Sequence, residues 1–94
     1  MNVALSVLVN FFEAIKADQR VDPVQISVFM ALYQKWLTNG CVNPLLISCP
    51  EIMPLAKISG NATYHRAIKA LAMYKYIRYE PSCSNRKESK VYLF

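Results

Sequence analysis

The turn Ser59-Gly60-Asn61 constrains this 94-residue chain more than any other feature. It lies between two runs of helical spacing, roughly 49–57 and 62–74, that are separated by only four residues. A short capped helix, a tight turn with Gly and a longer basic helix make the helix-turn-helix layout. Upstream, Ser48-Cys49-Pro50-Glu51 matches the S-x-x-E capping box and is expected to open the first helix of the pair.

The flanking segments are equally well punctuated. Asp22 is a suitable N-cap, Pro23 suits the first helical position, and Asn39-Gly40 supplies a stop. Between them Ile26, Phe29, Met30, Tyr33, Trp36 and Leu37 recur at helical spacing, a core-facing stripe. An earlier helix is expected over 3–17, where Asn2, Ser6, Asn10, Glu13 and Lys16 make one narrow polar stripe. Val3, Leu5, Val7, Leu8, Val9, Phe11, Phe12 and Ile15 cover most of the remainder. A surface helix usually shows the reverse proportion. Two partners suit such a helix: a domain that wraps it on both sides, or a second subunit docked on Leu5, Leu8, Phe11, Phe12 and Ile15. Leu45-Leu46-Ile47 reads as a short strand, 76–80 as another, 81–89 as a polar basic loop and 90–94 as a closing strand.

Charge separates the chain into two parts. Residues 1–56 carry three cations against four acids, whereas residues 57–94 carry eight against two, a local charge of +6. A basic face on a neutral scaffold points to an anionic partner. The apolar fraction of 54% excludes a disordered chain, and the length allows one core. The apolar start lacks a basic leader and a cleavage pattern, and is too short to span a bilayer, so a cytoplasmic protein without a membrane partner is expected. Cys41, Cys49 and Cys83 form no CxxC pair, and with His65 as the single histidine no metal site and no cofactor is expected. Paired carboxylates, a Ser/His/Asp set and a Gly-rich phosphate loop are also missing from the sequence, which argues against an enzyme.

From Ile52 to Phe94 the sequence resembles winged helix-turn-helix domains of bacterial transcriptional regulators. Leu55-Ala56-Lys57-Ile58-Ser59 resembles the family's "LA-x-I-S" run into the turn, and Thr63 to Leu71 its "T-x-x-R-A-I-K-x-L". Tyr76-Ile77-Arg78-Tyr79 is similar to the "G-Y-I" start of the wing, and Val91-Tyr92-Leu93-Phe94 to its return strand. Short proteins of bacterial mobile elements and N-terminal domains of plasmid replication initiators are the subfamilies it resembles most. The resemblance implies a mainly α fold with a small β-wing (α+β) and an additional N-terminal helix. In that frame 1–20 form the N-terminal helix with a possible dimerisation role, 48–74 the helix-turn-helix and 76–94 the wing. Two positions depart from the pattern. Lys75 stands where the family usually has Gly, and Pro54 falls inside the first helix, predicting a kink or a 3₁₀ turn.

The second helix of the pair carries the expected contacts. At 100° per residue, Tyr64, Ile68, Leu71 and Lys75 share one face with Ala67 and Tyr74 at its edge. Ala62, Arg66, Lys69 and Met73 point the other way, flanked by Thr63 and His65. Arg66 suits a bidentate contact to guanine, Thr63 a base or phosphate, and His65 a further DNA contact. Lys57, Lys69 and the amides near Asn61 suit phosphates. In the basic loop Asn85, Arg86, Lys87 and Lys90 would follow an adjacent backbone. The plainer account of these residues is a solvated helix face and a solubilising turn, with His65 simply half-buried.

The expected function is therefore duplex-DNA binding, as a transcriptional regulator or an accessory factor of a mobile genetic element, acting as a homodimer. The alternative is a winged-helix module for protein–protein contact, because fold does not fix function. RNA binding through Tyr74, Tyr76 and Tyr79 is a third reading.

Overall fold

A computed structural model describes residues 3–81 and 88–94. Among these residues, α1 (Val3–Ile15) and α2 (Pro23–Thr38) are followed by β1 (Leu45–Ile47), then α3 (Cys49–Ala56) and α4 (Asn61–Met73), then β2 (Arg78–Glu80) and β3 (Ser89–Tyr92). The architecture is mainly helical with a small antiparallel sheet, an α+β arrangement.

Asp22 opens α2 through a complete capping box: its Oδ1 accepts from Gln25 N at 2.9 Å, and its own N–H donates to Gln25 Oε1 at 3.4 Å. The box expected at Ser48 does not form. Ser48 is the N-cap of α3 in extended conformation, but its side chain makes no cap bond. Glu51, the residue that would return the second bond, has its Oε1 taken by Lys35 Nζ from α2. A side chain only 16% exposed, Lys35 also donates to Leu46 O, so an ion pair between elements replaces the local cap. α3 runs as α-helix through Pro54 to Ala56, without the expected 3₁₀ turn. The missing N–H forfeits one bond, to the carbonyl of the exposed Pro50.

Three helices end by one device. After α2, α3 and α4 the chain passes through a left-handed residue, Gly40 (φ 81), Lys57 (φ 61) and Lys75 (φ 68) respectively. The following N–H then reaches back five residues: Cys41 to Trp36 O at 2.8 Å, Ile58 to Met53 O at 2.9 Å, and Tyr76 to Leu71 O at 2.9 Å. This is the Schellman pattern, and its apolar signature is present too, since Cys41, Ile58 and Tyr76 all pack against the core.

The sheet has order β1-β3-β2, both pairings antiparallel. Leu45 and Tyr79 flank Val91 in register, while Leu46 and Glu80 flank Lys90 on the opposite face. β2 and the central β3 are both shorter than the sequence suggests, for identifiable reasons. Tyr76 is spent on the α4 cap, so β2 begins only at Arg78. Beyond Tyr92, the side chain of Asn43 replaces a strand: it donates to Leu93 O at 2.8 Å and accepts from Leu93 N at 3.1 Å.

The core joins both layers. Trp36, Phe29 and Leu32 of α2 meet Ile52 of α3, Tyr64, Ile68 and Leu71 of α4, and Leu45, Ile77, Val91 and Leu93 around the sheet. α1 docks through Phe11, whose ring stacks on Phe29 at 3.7 Å between centroids and meets Tyr76 edge-on at 5.4 Å. Tyr33 Oη secures the start of the same helix by donating to Ala4 O at 2.6 Å.

Candidate nucleic-acid interface

α4 sorts its residues as its periodicity requires. Tyr64, Ala67, Ile68 and Leu71 are buried, whereas Ala62, Thr63, Arg66, Lys69 and Met73 are exposed, Met73 to 76%. Lys75, which the helical wheel puts on the inward face, lies beyond the helix in its left-handed turn and is exposed. The first turn of α4 starts at Asn61 after Gly60, an N-cap with no side-chain bond of its own. Its leading amides therefore face outward without a capping side chain, at the positive end of the helix dipole.

Arg66 and Lys69 are one turn apart on the exposed face, and among the described residues neither enters an ion pair. Thr63 and Arg66 line a shallow recess with Asp22, Val24 and Gln25 at the start of α2. Lys57 is exposed at the end of α3, three residues before the N-cap of α4. The short turn thus brings Lys57, Asn61, Thr63, Arg66 and Lys69 onto two adjoining helical elements.

His65 is placed differently. Its half-buried ring faces α3, with Nε2 3.3 Å from Cys49 Sγ, and packs edge-on against Tyr64 at 5.2 Å. Burial pushes the Tyr64 phenol well above the usual tyrosine range, with smaller contributions from Cys49, Tyr79 and Glu51. Asn85, Arg86 and Lys87 lie outside the described residues. Lys90 is exposed on β3, with Glu80 and Leu46 as its cross-strand neighbours. Arg78 was not singled out by sequence reasoning, yet it shares that face, pairing with Glu80 Oε2 at 3.0 Å and lying 5.2 Å from the Tyr92 ring. Its alternation with buried Ile77 was the available signal.

The helix expected to pair with a second subunit divides by burial. Phe11 is only 4% exposed and belongs to the chain's own core, held between Phe29 and Tyr76, so it is not part of an outer face. Leu8 and Ile15 are half-buried against that core. Leu5, Val9 and Phe12 remain exposed, on a strip along one side of α1. The tyrosines considered for base stacking are also engaged: Arg20 lies 4.0 Å over the Tyr74 ring, Tyr76 bonds Asp18, and Tyr79 packs against the core.

No protein-family model, curated protein or solved structure matches this chain. Among the described residues, no helix is long and apolar enough to cross a membrane.

Proposed function

We propose that this chain binds duplex DNA as a winged helix-turn-helix protein, with α4 as the recognition helix. The observation that carries the reading is the outward face of α4: Thr63, Arg66 and Lys69 are exposed, one turn apart, directly after a tight turn. The succession α2, β1, α3, α4, β2, β3, with β3 central in the sheet, supports it as the connectivity a winged helix-turn-helix requires. So does the charge of +6 over residues 57–94.

In this reading the N-terminal half of α4 enters the major groove. Arg66 pairs with a guanine edge, while Lys57, Lys69 and the amides at Asn61 hold phosphates. Arg86 and Lys87 of the wing, with Lys90 and Arg78 at its base, follow the neighbouring backbone. The role is that of a transcriptional regulator or an accessory factor of a mobile genetic element, with no catalytic step assigned to any residue. Exposure of Leu5, Val9 and Phe12 favours one addition, a homodimer through α1 that presents two recognition helices to successive grooves. The same strip would serve a partner protein in the alternative reading.

The test is a fluorescence-anisotropy titration against random duplex DNA at several salt concentrations. Four to six phosphate contacts per protomer give a slope of log affinity against log salt of about −4 to −5. Absence of binding at low salt, or a flat response, overturns the DNA reading.

A further inference from the structure

Cys49 and His65 are 16 positions apart in sequence, yet meet where α3 begins beside α4, with Sγ 3.3 Å from Nε2. Both residues are half-buried, and the sulfur is in contact with the imidazole. The contact has no assigned part in the DNA reading, although His65 lies one turn from Lys69 at the edge of the outward face of α4. Cys41, the other free thiol among the described residues, is half-buried too, but the chain's one histidine contacts Cys49.

A thiol reacts as its thiolate, and an imidazole in hydrogen-bond contact is the side chain best suited to take its proton. We propose that Cys49 is an imidazole-activated thiol and a modification site for hydroperoxides.

The step balances within the pair. The thiol proton passes to His65 Nε2, and the sulfur attacks one peroxide oxygen. The S–O bond forms as the O–O bond breaks, and the leaving oxygen recovers the proton from His65 to depart as water or an alcohol. Sulfur loses two electrons to the peroxide, leaving Cys49 as a sulfenic acid. The added oxygen lies between α3 and α4.

The experiment treats the full chain with hydrogen peroxide in the presence of dimedone, and follows the Cys41 and Cys49 peptides by mass spectrometry, folded and in urea. Proton removal by the adjacent imidazole predicts labelling of Cys49 about tenfold or more faster than Cys41 in the folded chain. Folded Cys49 also outpaces unfolded Cys49, the reverse of what half-burial does to an ordinary thiol. His65→Gln lowers the Cys49 rate to that of Cys41 while circular dichroism stays unchanged. The proposal is overturned if folded Cys49 labels no faster than in urea, or if His65→Gln keeps the wild-type rate. Should that variant not fold, the comparison of folded and unfolded wild type decides alone.

Discussion

Tyr76 donates its hydroxyl to Asp18 Oδ2 at 2.6 Å, tying the loop after α1 to the segment after α4 across 58 positions of sequence. Arg20 completes the junction, donating from Nε and Nη2 to the two oxygens of Asp18 at 2.8 Å while its guanidinium covers Tyr74 at 4.0 Å. One carboxylate thus gathers both ends of the helical layer.

This junction sets an acid limb. Hydrogen bonds from Arg20 first and Tyr76 second hold the Asp18 carboxyl well below the usual carboxylate range. A depressed folded value means the stability it contributes is present above the unfolded value of about 3.9 and is lost as pH falls below it. Asp18→Asn therefore lowers stability at pH 7 and flattens its decline between about pH 5 and pH 2, measured by urea unfolding across that range. A variant with the same acid slope as wild type refutes the assignment.

The alkaline limb has the opposite sign. Burial, then the bond to Asp18, pushes the Tyr76 phenol up to about 12. Its contribution is complete below the unfolded value of about 10 and disappears as pH rises through the folded one. Tyr76→Phe should remove part of the stability loss between pH 10 and 12, with Tyr64 retaining the rest, as followed by circular dichroism during alkaline titration.

Neighbouring phenylalanines in α1 should behave unlike each other. Phe11→Ala empties a site stacked on Phe29 and should cost about 3–5 kcal/mol in urea denaturation of the monomer. Phe12 is 38% exposed, so Phe12→Ala costs much less there. Leu5→Glu combined with Phe12→Glu should leave a folded chain that no longer self-associates. Sedimentation equilibrium reads this directly, and a wild type that stays monomeric at high micromolar concentration removes the dimer.

The equivalence of Gly40, Lys57 and Lys75 yields substitutions of opposite sign. A left-handed conformation costs a non-glycine residue roughly 1–2 kcal/mol, offset in part by the greater freedom of glycine in the unfolded chain. Lys75→Gly should stabilise by up to about 1 kcal/mol, and Gly40→Ala should destabilise by about 1 kcal/mol. Open space around Gly40 means that only its φ of 81° opposes the methyl group. Thermal unfolding of both variants checks the signs.

On the DNA reading, Arg66→Ala should cost about 1–3 kcal/mol for a selected site and relax one base position. Lys87→Ala should weaken all sequences about equally. Equal effects on selected and random duplexes from both variants would reduce Arg66 to a phosphate contact.

Sequence by itself determined what depends on residues within about one helical turn of each other. The four helices, the cap at Asp22, the stop at Asn39-Gly40, the Leu45–Ile47 strand and the buried face Tyr64, Ala67, Ile68 and Leu71 all follow from local spacing. Tertiary structure decided every relationship between distant residues. α1 carries a continuous apolar sector of about 200° at ~100° per residue, and periodicity could not say which part of it Phe29 and Tyr76 would cover. Glu51 sits at the right distance from Ser48 for a capping box, but Lys35 offers it a charge-assisted bond from another helix. The order β1-β3-β2 and the contacts of Cys49 with His65 and Tyr76 with Asp18 leave no periodic trace. Hydrophobic periodicity states that a face must be buried, whereas its partner is chosen by how the whole chain packs.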